Sequence, residues 1–183
     1  MSESIQIGAK TMRLIKGDLT ALEVDAFVYY ARHDLQLGSG FGTAISVRGG
    51  LGIQEELKQF GALETTQAVV SSAGELNASY IVHAVGPRFQ EEDMERKLRA
   101  TVLNTLKRAE EKDIRAIAFP PMGTGFYGVP LTICAEVMVE TIAEYLNGNT
   151  KIEEVIICLL DNREYQPFRD CLAALDTRIK EAI

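Results

Sequence analysis

Two short stretches carry glycines at a spacing that could hold an anion. Residues 120–130 read Pro-Pro-Met-Gly-Thr-Gly-Phe-Tyr-Gly-Val-Pro, with Gly123, Gly125 and Gly128 just ahead of a helical pattern. Residues 38–42 read Gly-Ser-Gly-Phe-Gly, again between a strand-like run and a helical pattern. Glycine tolerates positive φ and close approach of the backbone, so successive N–H groups can converge on a phosphate, and a following helix adds its partial positive charge. Two such cradles on one sheet edge suit a diphosphate better than a single phosphate. A Gly-x-Gly-x-x-Gly run alone also fits a plain tight turn. Neither stretch has the Lys-Ser/Thr pair of a triphosphate-hydrolysing loop, which argues against ATP hydrolysis. The first strand is not followed directly by Gly-x-Gly-x-x-Gly, which argues against a dinucleotide-binding unit.

Composition narrows the partners. Of the 183 residues, 46% are hydrophobic and 25% charged, the balance of a folded chain with one core, since single domains commonly run to about 100 to 200 residues. A net charge of −7 argues against non-specific nucleic-acid binding, so an anionic ligand has to be held locally. No apolar run approaches the roughly 18 residues of a membrane-spanning helix, and Met1 to Lys10 lacks the basic head and apolar stretch of a secretory signal. These features predict a soluble, cytoplasmic protein with no membrane partner. Cys134, Cys158 and Cys171 lack metal-ligand spacing and sit within apolar patterns, which predicts buried structural thiols and no metal or redox centre. No cofactor is implied.

The elements that must position the two loops alternate along the chain. Ser4 to Ile15 has the alternation of an edge strand or hairpin, and Val24 to Ala31 reads as a more buried strand. Thr43 to Phe60, broken by Gly49, Gly50 and Gly52, predicts a short helix, a break, and a second helix from about Gly52. Gln67 to Ser71 and Ser79 to Val85 are further strands, linked by a turn at Gly74 to Ala78. Glu92 to Lys112 places Met94, Leu98, Val102, Leu106 and Ala109 on one helical face, with Asp93/Lys97 and Glu95/Arg99 as i,i+4 pairs on the other. Ile114 to Phe119 is a short apolar run, and Leu131 to Leu146 is a helix turning Cys134, Met138, Ile142 and Tyr145 inward. Val155 to Leu160 is apolar enough for a central strand covered on both faces. A last helix begins near Glu164 behind an Asp161/Glu164 capping box, with Pro167 in its first turn, and buries Phe168, Leu172, Leu175 and Ile179. Strands separated by amphipathic helices imply an α/β class with a mixed, mainly parallel sheet between helical layers. Ligands of such sheets bind outside the carboxyl ends of the strands, which directs attention to the loops after Ala31, Phe119 and Leu160.

Five motifs occur in one order: Gly17-Asp18-Leu19-Thr20, then Val24-Asp25-Ala26, then Leu35 to Ile45 with its glycines, then Tyr80-Ile81-Val82-His83-Ala84-Val85-Gly86-Pro87, then Phe119 to Pro130. In that order and spacing the chain resembles the macro-domain family, the ADP-ribose-binding or Appr-1-p-processing fold, over about Met12 to Leu175. The resemblance implies one domain across residues 1–183, a three-layer α/β/α sandwich, and a cleft for ADP-ribose, free or on a modified protein, at the sheet's carboxyl edge. By this resemblance Asp18, with Leu19 beside it, matches the aspartate that accepts a hydrogen bond from the adenine amino group. Ala31 and Arg32 end the motif strand, and Gly38, Ser39, Gly40, Phe41 and Gly42 match the loop lining the distal ribose and phosphates. Pro121, Gly123, Thr124, Gly125, Phe126 and Tyr127 match the main diphosphate cradle. Leu160 or a neighbour stands where the family has an adenine-stacking side chain, and His83 reads as a structural histidine.

The chain departs from the family at positions important to its hydrolases. The family reads Val-Asn-Ala-Ala-Asn where this chain reads Val28-Tyr29-Tyr30-Ala31-Arg32, so both amides are gone and a permanent cation replaces the one that contacts the distal ribose. The hydrolases also use an aspartate near the glycine loop to help position water, and the matching residue is Gly42. His33 and Asp34 precede the loop, where a surface role is expected. Three functions stay open. A binding module would hold ADP-ribose or its diphosphate by backbone N–H groups, with Arg32 adding a contact. A hydrolase would remove ADP-ribose or O-acetyl groups with water activated by the substrate's own phosphate. A pseudo-domain would let the tyrosines fill the distal cleft and leave a protein-interaction role. Adjacent strand residues point to opposite faces, so only one of Tyr29 and Tyr30 is expected to face the cleft.

Overall fold

The alternating start of the chain becomes a hairpin, in which β1 (Glu3–Ile7) pairs antiparallel with β2 (Lys10–Lys16). The computed structural model describes residues 3–38 and 40–183. The elements that follow are β3 (Ala26–Tyr30), α1 (Phe41–Gly49), α2 (Gly52–Leu57), β4 (Ala68–Ser72), β5 (Tyr80–Ala84), α3 (Met94–Glu111), β6 (Ala116–Phe119), α4 (Leu131–Leu146), β7 (Glu154–Leu159) and α5 (Asn162–Glu181). The strands form one sheet in the order β1-β2-β7-β6-β3-β5-β4. The five inner strands run parallel, and the antiparallel β1 and β4 close the two edges.

Helices cover both faces of the sheet. On one face α3, α4 and α5 pack Leu98, Met138 and Phe168 against Val28, Ile117, Phe119 and Ile157. On the other, Ile45 of α1 and Ile53 and Leu57 of α2 pack against Phe27, Ile81 and Ile156. Strands buried on both faces carry near-continuous apolar runs, which accounts for Ala26–Tyr30 and Glu154–Leu159. This is the three-layer α/β/α sandwich with a mixed, mainly parallel sheet that the sequence predicts. Asp25 ties three inner strands together: its carboxylate accepts from Arg115 N and Ala116 N, both at 2.9 Å, and its carbonyl accepts from Ser79 N and Tyr80 N.

Several local expectations need correction. Asp93 and Glu95 do not pair with Lys97 and Arg99; Asp93 bonds Arg96 at 2.8 Å, Lys97 turns to Glu91 at 3.8 Å and Arg99 crosses to Glu140 on α4 at 3.6 Å. Exposed long side chains exchange such partners at little free-energy difference. The last helix starts at Asn162, two residues early, because Asp161 caps it by accepting from Glu164 N at 2.9 Å while the Glu164 carboxylate accepts from Leu160 N at 2.8 Å. Pro167 consequently lies beyond the first turn, where its missing N–H leaves the Arg163 carbonyl without its helical donor. Cys134 and Cys158 are buried, but Cys171 is only half-buried because α5 is an outer helix. Among the described residues no helix is long and apolar enough to cross a membrane.

Candidate functional site

Because β2, β7, β6, β3 and β5 are parallel neighbours, the loops after their carboxyl ends share one edge of the sheet. A cavity of about 610 Å³ opens there, lined on one side by Tyr29, Arg32, Gly40 and Phe41 and on the other by Tyr30, Arg88, Pro120, Gly123, Thr124, Phe126 and Tyr127. Two smaller clefts, each about 260 Å³, lie elsewhere, one between Asp34, Gln36 and the end of α2 and the other between β4 and α3. The larger one has the better claim to function, since ligand pockets in open α/β sheets form at strand carboxyl ends.

The loop between β3 and α1 is held by side chains from within the fold. Gln54 of α2 accepts from Leu37 N at 2.8 Å and donates to the Leu35 carbonyl at 3.1 Å, while Asp34 accepts from Gln36 N at 3.1 Å. This clamp and burial of the Leu35 side chain hold Leu35 at φ +59°, a conformation that costs a non-glycine residue about 1 to 2 kcal/mol. Gly40, at φ +54°, precedes α1, whose first turn has no side-chain cap; Thr43 N bonds the Gly40 carbonyl at 3.1 Å, which leaves the N–H groups of Phe41 and Gly42 without a hydrogen-bond partner among the described residues.

The loop between β6 and α4 places Gly123, Gly125 and Gly128 at φ between +72° and +80°. It closes through Gly128 N to the Gly125 carbonyl and Val129 N to the Gly123 carbonyl, both at 2.9 Å, and the Thr124 hydroxyl donates to the Pro121 carbonyl at 3.0 Å. A Cβ on Gly123 would meet Val129 Cγ2 at 2.7 Å and the Tyr30 hydroxyl at 3.1 Å, whereas nothing lies within 4 Å of a Cβ on Gly125. Gly123 is therefore required by packing, and Gly125 only by its backbone conformation and by whatever approaches from the cavity.

Both tyrosines line the cavity, contrary to the expectation that one would. They do point to opposite faces of the sheet, Tyr29 toward α1 and α2 and Tyr30 toward α4, but they occupy the last positions of β3 and the cavity straddles that strand end. Tyr30 donates to the Pro87 carbonyl at 2.5 Å and meets Tyr127 edge-on with ring centroids 5.0 Å apart. Its ring lies so close over Gly86 that no Cβ fits there. Tyr29 stacks on Phe41 at 6.2 Å and meets His83 edge-on at 6.0 Å. A Cβ on Gly42 would fall 2.6 Å from the Tyr29 hydroxyl, so an aspartate at that position cannot be accommodated beside this tyrosine.

Burial raises the pKa of Tyr29, Tyr30 and Tyr127, so none is a base near neutral pH. For Tyr127 the positive charges of Arg88 and Arg32 oppose the shift, and the Arg88 guanidinium sits 5.8 Å from its ring centroid. Arg32 bonds Asp34 at 2.8 Å in a half-exposed pair. His83 is fully buried with Nε2 2.7 Å from the Ser71 hydroxyl, and burial holds its pKa down at about 3, as befits a neutral structural histidine.

Of the residues singled out in the sequence, Arg32, Gly40, Phe41, Gly123, Thr124, Phe126 and Tyr127 line the cavity. Ser39 lies outside the described residues. Ala31, Gly38, Gly42, Pro121 and Gly125 belong to the same loops without lining it, and Ala31 and Gly42 are buried behind it. Asp18, Leu19 and Leu160 sit further along the same edge, at the ends of β2 and β7. The Asp18 carboxylate accepts from Thr20 N at 3.0 Å, from the Thr20 hydroxyl at 2.7 Å and from the Arg48 guanidinium. Those bonds from Thr20 and Arg48 lower its pKa. Leu160 is 74% exposed. Arg88 and Pro120 were not singled out in the sequence; Arg88 directly follows the Tyr80 to Pro87 motif and Pro120 lies within the Phe119 to Pro130 motif, which was the available signal.

A family model described as the macro domain matches residues 30–138. A macro domain-containing protein of Caldanaerobacter subterraneus is 36% identical over 171 residues, covering 90% of this chain and 97% of its own. The Oceanobacillus iheyensis macrodomain with ADP superposes with a TM-score of 0.90 at 26% identity, over 97% of this chain and 98% of its own. The Trypanosoma brucei macrodomain in complex with ADP-ribose gives 0.82 at 25% identity, over 87% and 68%.

Proposed function

The chain belongs to the macro-domain family, and on that premise we propose that its cavity binds ADP-ribose or a closely related nucleotide diphosphate, with weak or no hydrolysis. The observation that carries this reading is the meeting of Gly40–Phe41 and Gly123–Tyr127 across one cavity at the strand ends, beside Arg32 and Arg88. Backbone N–H groups of the two loops take the diphosphate, and the start of α1 adds its partial charge. Asp18 takes the adenine amino group in exchange for Arg48, and exposed Leu160 lies against the base. With strands about 4.8 Å apart, the three steps from the end of β2 to the end of β3 span about 14 Å, which suits an extended ligand. Solved relatives that hold ADP and ADP-ribose support the same ligand class.

Weak turnover follows from what lines the cavity. Among the described lining residues there is no carboxylate and no imidazole, and the phenols are too weakly acidic to serve as bases near neutral pH. Arg32 holds the distal end differently from an amide, and small displacements at a reacting centre cost about a hundredfold in rate. Calorimetry with ADP-ribose tests binding: Asp18→Ala should weaken it by about 1 to 3 kcal/mol, and no detectable binding by the wild type at millimolar concentrations overturns the reading. Release of ADP-ribose from a modified protein at the rate of an active family member would overturn the non-catalytic part alone.

A further inference from the structure

Arg32 and Arg88 bring two positive charges to a cavity whose glycine loops already offer backbone N–H groups to a diphosphate. Both line the same cavity, Arg32 from the end of β3 and Arg88 from the segment after β5. The Arg88 guanidinium lies 5.8 Å from the Tyr127 ring centroid, and the charges of Arg88 and Arg32, opposed by that of Asp34, both act on the Tyr127 hydroxyl, which puts the two arginines toward the Tyr127 side of the cavity. No carboxylate or amide side chain is among the described lining residues, so the charged side chains of the lining are cationic and its other polar side chains are hydroxyls. Asp34 pairs with Arg32 with both side chains about half exposed, and such a pair exchanges readily with solvent or ligand. Arg88 has no ion-pair partner among the described residues. Two guanidiniums lining one cavity in a chain of net charge −7 are a local feature, not a consequence of composition.

We propose that the Arg32–Arg88 end of the cavity is a subsite for a third phosphoryl group, so that the preferred ligand class is a nucleoside polyphosphate ending in phosphate, ahead of one ending in a neutral ribose. This rests on the reading that the glycine loops hold a diphosphate. The planar fork of arginine matches phosphate oxygens two at a time, and charge-assisted bonds of this kind are about twice as strong as neutral ones. Binding alone is meant, without hydrolysis.

Titration calorimetry with ADP, ADP-ribose and ATP, in a chelator and at one ionic strength, tests it. ATP should bind about tenfold tighter than either of the others, and Arg32→Ala and Arg88→Ala should each reduce that ratio, the double variant abolishing it. Thermal melts establish that the variants are folded, and Arg32→Gln with Arg88→Gln, which keep the aliphatic stems, replace any alanine variant that melts early. Equal affinities for ATP and ADP, a preference for ADP-ribose, or a preference that survives in the double variant would overturn the subsite while leaving the diphosphate reading standing. Absence of binding by all three would overturn both.

Discussion

The hydroxyl of Tyr29 lies 2.6 Å from the point where a side chain on Gly42 would begin, and Leu37 Cα lies 3.1 Å from the same point. Gly42 thus lets Tyr29 pack beneath α1, and this tyrosine and any larger residue at position 42 exclude one another.

Gly42→Asp should therefore destabilise the protein by about 1 to 3 kcal/mol, through overpacking, and should not create hydrolase activity. Adding Tyr29→Asn should recover part of the loss, since the shorter side chain vacates the contested volume. Urea melts of the two single variants and the double one give the coupling; strictly additive effects would show that the two side chains do not compete.

The two glycines of the β6–α4 loop should separate folding from binding. Gly125→Ala should cost about 1 kcal/mol of stability, from its φ of +72° alone, and about tenfold or more in ADP-ribose affinity as its Cβ enters the path of the phosphate. Gly123→Ala should cost more stability, about 2 to 3 kcal/mol, since its Cβ also meets Val129 and Tyr30. Normal ligand affinity in folded Gly125→Ala would show that loop to be a plain turn.

Tyr30 joins the segment after β5 to the loop after β6. Tyr30→Phe keeps the ring over Gly86 and removes the bond to the Pro87 carbonyl, at a cost of about 1 kcal/mol, whereas Tyr30→Ala should cost about 3 to 5 kcal/mol. Amide hydrogen exchange should quicken at Gly123–Val129 in the alanine variant well before it does in β7. Unchanged protection there would mean that Tyr30 does not hold the loop.

His83 makes stability depend on pH. Its folded pKa of about 3 lies below the ordinary 6.5 because burial disfavours the cation, so the unfolded chain binds a proton at a pH where the folded one does not. Stability from this group is complete above about 6.5 and is lost as pH falls toward 3, amounting to about 2 kcal/mol between pH 7 and 5. His83→Asn should flatten the stability profile across that window, whatever its effect on absolute stability. A slope equal to that of the wild type would assign the dependence to other groups.

The order of elements was legible in the sequence because burial writes itself as periodicity: Leu98, Val102 and Leu106 recur at helical spacing on α3, and the all-apolar β7 announces a strand covered twice. Gly123, Gly125 and Gly128 were likewise legible as a loop needing positive φ, since few other residues adopt it without strain. Contacts between segments far apart in the chain were not legible. That Tyr29 and Tyr30 both reach one cavity follows from where β3 ends relative to the loops of β5 and β6, not from their alternation along the strand. Arg88 joins Arg32 because β5 lies beside β3 in the sheet, although 56 residues separate them in the chain. Arg48 reaches Asp18 because α1 packs back toward the end of β2. Local propensity fixes the elements, but which loops become neighbours depends on sheet order, and sheet order is set by the burial of the whole core at once.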